Sequence, residues 1–274
     1  MPSRDVFQRT DDLEPATLAA LGERLEFRGT DATFSRMREA YFDRLPLDSA
    51  GAVLDVGCGT GAEARALLRR PDFDGHLVAV DLSPGLIETA RRLASQDGLQ
   101  GRVDYRVGDA HRLDLPDGAF DVVIAHTLLT HVLDPTSVLR QMARVTRPGG
   151  TVAVFDGDYA SWTWAHPDPA LAAAMDAALI ATVVANPRLM RDMPRLLRDL
   201  GLRLGEAQPN LYAEVGTGRY FLGAAESYAP LLAAGGLVPA EDVQRWLEDQ
   251  RRAVAEGTFF ASCNYYAYLA ERPR

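Results

Sequence analysis

From Val53 onward, short apolar runs alternate with amphipathic segments. Val53-Leu54-Asp55-Val56, Leu77-Val78-Ala79-Val80, Val103–Val107, Asp121–Ala125 and Thr151–Phe155 read as strands. Apolar positions between them recur at helical spacing, as at Leu86, Ile87, Ala90 and Leu93, or Val138, Leu139, Met142 and Val145. Ser83-Pro84 and Asp134-Pro135 supply an N-cap followed by a first-turn proline, and Arg147-Pro148-Gly149-Gly150 stops the second of these helices. Continuous apolar strands separated by amphipathic helices predict a doubly wound α/β fold, with a mainly parallel sheet covered on both faces.

The flanking regions follow a different pattern. Residues 1–50 carry helical spacing at Phe34, Met37, Tyr41 and Phe42, predicting a helical N-terminal lead to the core at 51–156. Beyond 156, Asp168-Pro169 opens an Ala-rich helix to about Ala185, and Asn186-Pro187 opens another ending before Gly201. Residues 202–213 form a candidate strand, 219–233 and 240–256 read as helices, and Thr258–Leu269 as a last, aromatic-rich strand. The sheet therefore has seven expected strands. Residues 157–257 are expected to be a helical insert, or lid, with one sheet strand, and 258–274 to complete the sheet.

Composition narrows the chemistry. The 274 residues are 47% hydrophobic and 24% charged, enough for a full core. The net charge is −9, and all 29 basic residues are arginine, which excludes Schiff-base and phosphate-loop lysine chemistry. An acidic chain without a basic cluster argues against nucleic acid as a partner. Cys58 and Cys263 lie in apolar or glycine-rich surroundings and are expected to be reduced and buried. The N-terminus lacks the apolar core of a signal peptide, and no run approaches the ~20 apolar residues of a membrane span. A cytoplasmic protein, monomer or homodimer, is expected.

The chemistry concentrates at strand ends. Ligands of such sheets bind beyond the carboxyl ends of the strands, near the point where strand order reverses, and those exits hold Asp55, Asp81, Asp109, His126 and Asp156. After Asp55 comes Gly57-Cys58-Gly59-Thr60-Gly61, leading directly into a helix-forming run. Glycines let backbone approach a ligand, and a helix N-terminus aims N–H groups at it. The spacing is Gly-x-Gly-x-Gly rather than the dinucleotide pattern Gly-x-Gly-x-x-Gly. Asp55, two residues before the first glycine, would repel a pyrophosphate but suits a ligand carrying an ammonium and a sulfonium. Asp81, twenty residues after Gly61, stands where an acid can take two ribose hydroxyls.

These residues, with Val78–Ser83, Gly108–Ala110, Phe120–Val132 and Arg147–Gly150, make the chain resemble the class I S-adenosylmethionine-dependent methyltransferases over roughly residues 50–156. The resemblance implies a Rossmann-like sheet and S-adenosylmethionine as cofactor. It implies Gly57, Gly59 and Gly61 along the methionine portion, with Asp55 near its ammonium. Asp81, with Leu82 beside it, would hold the ribose, and Asp109 and Ala110 the adenine. His126 would lie beside the sulfonium through its backbone, and Arg28 and Tyr41 of the N-terminal lead would close over the cofactor carboxylate. For Arg28, surface pairing is an equal reading.

Methyl transfer is an in-line displacement that needs alignment, exclusion of water and sometimes a base. His126 and His131 are candidate bases, and His131 equally reads as a buried or helix-capping residue. Asp158 and Tyr159 follow the fifth strand, where similar enzymes place acceptor-contacting groups. Trp162 and Trp164 read as a wall for a flat acceptor or as core packing. Asp156 and Asp158 alone fall short of a cation's oxygen ligands, so no metal is expected. The expected activity is methylation of a small organic acceptor, with specialised metabolism as the expected setting. The alternatives are a same-fold cyclase or decarboxylase using the sulfonium as an electrostatic cofactor, or a non-enzymatic cofactor-binding scaffold.

Overall fold

The computed structural model describes Asp5, Phe7 and residues 10–274; positions 1–4, 6, 8 and 9 of the expected N-terminal lead lie outside the described residues. The chain divides into two units. The first, the core unit, holds Phe7, residues 10–156, Asp192–Gln208 and Tyr266–Arg274. The second holds Asp5, Gly157–Arg191 and Pro209–Tyr265.

The elements run α1 (Pro15–Thr30), α2 (Ala32–Phe42), β1 (Ala52–Val56), α3 (Ala62–Leu68), β2 (His76–Asp81), α4 (Pro84–Gln96), β3 (Val103–Val107), β4 (Phe120–His126), α5 (Pro135–Val145) and β5 (Thr146–Trp164). Then follow α6 (Pro169–Val183), α7 (Leu189–Asp199), β6 (Arg203–Val215), α8 (Phe221–Ala234), α9 (Ala240–Ala255) and β7 (Phe260–Glu271). Among the described residues, seven strands form one sheet in the order β3-β2-β1-β4-β5-β7-β6. The first five are mutually parallel. β7 closes on β5 by an exchange of bonds between Gly149, Gly150 and Arg272, the pattern of an antiparallel pair.

Register decides where the site can form. Val56 lies opposite Val80 on one side and Ala125 on the other, so β1, β2 and β4 end level. The strand order reverses between β1 and β4, which opens a crevice above Asp55 and His126. Below the crevice, Val53, Leu54, Leu77, Val122 and Val123 are buried, as parallel strands covered on both faces require.

The predicted helix starts appear with their caps. Ser83 Oγ accepts from Leu86 N (3.3 Å), Asp134 from Ser137 N (3.0 Å) and Asp168 from Ala170 N and Leu171 N (3.0 and 3.1 Å). Each is followed by proline at the first helical position. α1 is tied to the core by Arg65, whose guanidinium meets Glu26 (2.6 Å), Asp97 (3.1 Å) and the Thr60 carbonyl (2.6 Å).

β5 is longer than the pattern predicts: 19 residues rather than Thr151–Phe155. The sequence places Asp156 and Asp158 after the strand, and carboxylates are costly inside a sheet unless satisfied. Here both are satisfied. In the core unit, Asp156 accepts from Thr130 N (3.1 Å) and Thr130 Oγ1 (2.9 Å). In the second unit, both oxygens of Asp158 accept from Arg191 Nε (2.9 Å).

The second unit is built around aromatic rings. Trp164 stands 4.8 Å from Trp162, 5.9 Å from Phe221 and 5.8 Å from Trp246, centroid to centroid. The Glu214 carboxylate caps the start of α8 through the Tyr220 and Phe221 amides. Both cysteines are buried thiols outside any disulfide. Among the described residues, no helix is long and apolar enough to cross a membrane.

Candidate cofactor site

The site grows from the turn between β1 and α3. Gly57, Gly59 and Gly61 all have positive φ, at 73°, 53° and 74°, a region that side chains with a Cβ disfavour. The turn is pinned to β2 because the Gly57 and Cys58 amides both donate to the Val80 carbonyl (2.7 and 3.0 Å). The end of β2 returns the contact: Asp81 Oδ2 accepts from Gly59 N (2.8 Å) and Oδ1 from Ser83 N (2.9 Å). One carboxylate therefore holds both the glycine turn and the start of α4. Burial pushes Asp81 above the ordinary carboxylate range, although its backbone donors pull the other way.

Beside this turn lies a cavity of about 260 Å³ in the core unit, whose wall includes Gly59, Glu63, Asp81, Asp109, His126 and His131. Asp55, 4% exposed, is not on its wall, and its Oδ2 is buried without a hydrogen-bond partner among the described residues. Burial, then repulsion from Glu63 and Asp81, drives the Asp55 carboxyl well above its usual range. Such a carboxyl keeps a proton when alone and gives it up to a cation that reaches it.

His126 ends β4 and is held from behind. Its ring stacks on Phe155 (centroids 4.4 Å apart), and its Nδ1 meets the Tyr41 hydroxyl at 2.9 Å. Burial, then the positive field of Arg28 and Arg38, lowers its pKa well below the ordinary histidine value, so the ring is neutral. Burial and the nearby carboxylates keep Tyr41 protonated. Nε2 faces Glu63 Oε1 at 3.6 Å, which favours the tautomer with its proton on Nε2, and Nδ1 then accepts from the Tyr41 hydroxyl. The opposite tautomer would aim a lone pair at a carboxylate.

The remaining expected residues divide into two groups. Gly57, Gly59, Asp81, Leu82, Asp109, Ala110, His126, His131 and Arg28 line the cavity. Asp109 is fixed by its neighbour: burial alone would raise its carboxyl, but the His111 amide (2.9 Å) and ring (2.8 Å) hold it below the usual range. His131 is buried with its ring 4.4 Å from Phe7. Arg28 places its guanidinium 5.0 Å from the Phe34 ring.

The second group is off the wall. Gly61 faces Tyr105, where an added Cβ would come within 2.5 Å of the phenol oxygen, so packing rather than a ligand demands glycine there. Tyr41 is fully buried behind His126 and reaches the cavity only through that ring. Asp158 and Tyr159 belong to the second unit, Asp158 in its ion pair with Arg191 and Tyr159 packed on Trp162 and Tyr265. Trp162 and Trp164 are core residues of that unit. Among the described residues, no group of three or more His, Cys, Asp or Glu could hold a metal ion.

Sequence reasoning missed Glu63, Phe7, Thr60 and Leu128, all on the cavity wall. Glu63 carried a usable signal. It is the second residue of the helix that follows the glycine turn, so its side chain has only the crevice or solvent to face.

The family described as "methyltransferase domain" matches residues 54–154, the segment that builds this cavity. The chain belongs to the class I S-adenosylmethionine-dependent methyltransferases. It is similar, at 30% identity over 244 residues, to an uncharacterized 37.1 kDa protein in transposon TN4556 of Streptomyces fradiae, covering 88% of this chain and 68% of that protein. A ubiquinone biosynthesis O-methyltransferase of Xanthomonas oryzae pv. oryzae is 42% identical over 106 residues, 38% of this chain and 42% of that enzyme. The chain thus spans less than half of that curated relative. Geranyl diphosphate C-methyltransferase of Streptomyces coelicolor, solved with Mg2+, geranyl diphosphate and S-adenosyl-L-homocysteine, shares the fold. Its TM-score is 0.54 at 20% identity, covering 87% of this chain and 77% of that one. As a member of this family, the protein takes S-adenosylmethionine as its cofactor.

The residues present fit that molecule. The unpartnered Asp55 oxygen suits its ammonium, Asp81 retains lone pairs for ribose hydroxyls, and the positive-φ glycines keep the wall free of Cβ atoms at Gly57 and Gly59.

Proposed function

We propose that the protein transfers a methyl group from S-adenosylmethionine to a small organic acceptor by in-line displacement. The observation that carries this is a cavity lined by the glycine turn, Glu63 and Asp81, with the buried, unpartnered oxygen of Asp55 on the strand that leads into that turn. A pyrophosphate ligand would be repelled by three acids at that place, whereas a cationic methionine derivative is attracted. Bound there, the cofactor supplies a methyl group already activated by the adjacent sulfonium. The protein's own task is then to align, to exclude water and to accept a proton where the acceptor carries one.

For that last role we propose His131. It lines the cavity, with its ring against Phe7. The acidic surface, with a net charge of −9, favours small acceptors over nucleic acid. The test is a mass-spectrometric screen of candidate acceptors with S-adenosylhomocysteine counted alongside. One S-adenosylhomocysteine per methylated product supports the reading. Product formed without S-adenosylhomocysteine would assign the site to non-methylating electrostatic catalysis instead.

A further inference from the structure

Among the described residues, Glu63 is the one acid on the cavity wall that accepts from no backbone amide, unlike Asp81 and Asp109. Being near a helix N-terminus would suffice to explain an exposed acid. Glu63 is different because its side chain is only 19% exposed, lines the cavity and faces the proton-bearing edge of His126 at 3.6 Å. Its field reaches Asp55 strongly enough to be the main charge raising that carboxyl after burial itself. Two acids coupled in this way, one with an unpartnered oxygen, are relieved when one takes up a proton or a cation joins them.

We propose that Glu63 is a second carboxylate for the cofactor's α-ammonium, acting with Asp55, and that Tyr41 and His126 are positioning residues that aim it. This rests on the reading of the cavity as an S-adenosylmethionine site. Tyr41, donating to Nδ1, fixes the tautomer; His126 then presents Nε2–H to Glu63 and holds it on the cavity side. The stacking of His126 on Phe155 and of Phe155 on Tyr41 (5.6 Å) fixes the plane of the ring. The pair of acids makes the site specific for ligands that keep the amino-acid end of the cofactor.

Calorimetry with three ligands separates the possibilities. S-adenosylhomocysteine carries the ammonium and a neutral sulfur, S-adenosylmethionine carries both cations, and 5′-methylthioadenosine carries neither. Glu63→Gln is expected to weaken S-adenosylhomocysteine about tenfold or more, as loss of a charge-assisted bond does, while leaving 5′-methylthioadenosine within about twofold. Tyr41→Phe is expected to weaken S-adenosylhomocysteine by a smaller factor, again sparing 5′-methylthioadenosine. In the double variant the two losses should not add, because both act through Glu63. Equal loss of all three ligands in Glu63→Gln would make its role structural and overturn the proposal. Loss for S-adenosylmethionine alone would place Glu63 at the sulfonium and overturn the ammonium assignment. If the wild-type protein binds none of the three, the cofactor reading fails, not this refinement of it.

Discussion

The role proposed for Asp55 makes cofactor binding depend on protons. Its carboxyl is raised by burial and by Glu63 and Asp81, so in the absence of a cation it holds a proton to higher pH than an ordinary aspartate. An ammonium favours the charged form, so binding expels that proton. Affinity for S-adenosylhomocysteine is therefore expected to climb with pH until it passes the raised pKa of Asp55, then level off. Titrations in two buffers of different ionisation enthalpy should show net proton release on the acid side, and Asp55→Asn should abolish it. Gly61 makes a purely structural prediction. An alanine there takes on φ near 74° and meets Tyr105, so Gly61→Ala should destabilise by at least ~1–2 kcal/mol from the backbone alone, read as a fall in Tm. At His131, Gln substitution should cut turnover about 100-fold for an acceptor that must lose a proton, with S-adenosylhomocysteine affinity unchanged.

At the scale of elements, β5 and its continuation carry the lesson about what a sequence shows. The parallel strands β1, β2 and β4 were legible because apolar runs bounded by turn residues have few other readings, and the capped helices because Ser-Pro and Asp-Pro announce themselves. The Asp81 carboxylate was legible through spacing alone. What stayed hidden were pairings across the fold: Thr130 satisfying Asp156, Arg191 satisfying Asp158, Tyr41 behind His126. Each joins residues far apart in sequence, and nothing local marks either partner. α6 offers a test at this scale. Asp176 accepts from Thr163 Oγ1 (2.8 Å) and Trp164 N (3.2 Å), linking α6 to β5, and burial pushes its carboxyl from 3.8 up to about 6 despite those bonds. Its folded-state pKa exceeds the unfolded one, so its contribution is fullest below about pH 4 and is lost as pH rises through about 6. Thermal melts across that window should show the decline in the wild type, and Asp176→Asn should flatten it.

For the whole molecule, the reversal of strand order between β1 and β4 explains why so many unrelated-looking residues meet. The glycine turn, Asp81, Asp109 and His126 leave successive strand ends on the same side of the sheet, and the level register of β1, β2 and β4 brings them to one crevice. The central claim is that this crevice seats S-adenosylmethionine. Its most direct test is calorimetric titration with S-adenosylhomocysteine of the wild type and Asp81→Ala, with thermal melts confirming that both are folded. The account predicts one binding site per chain in the wild type and a loss of about 100-fold or more in the variant, because the carboxylate that holds the loop is the one proposed to hold the ribose. No binding by the folded wild type, or equal binding by both proteins, would contradict it.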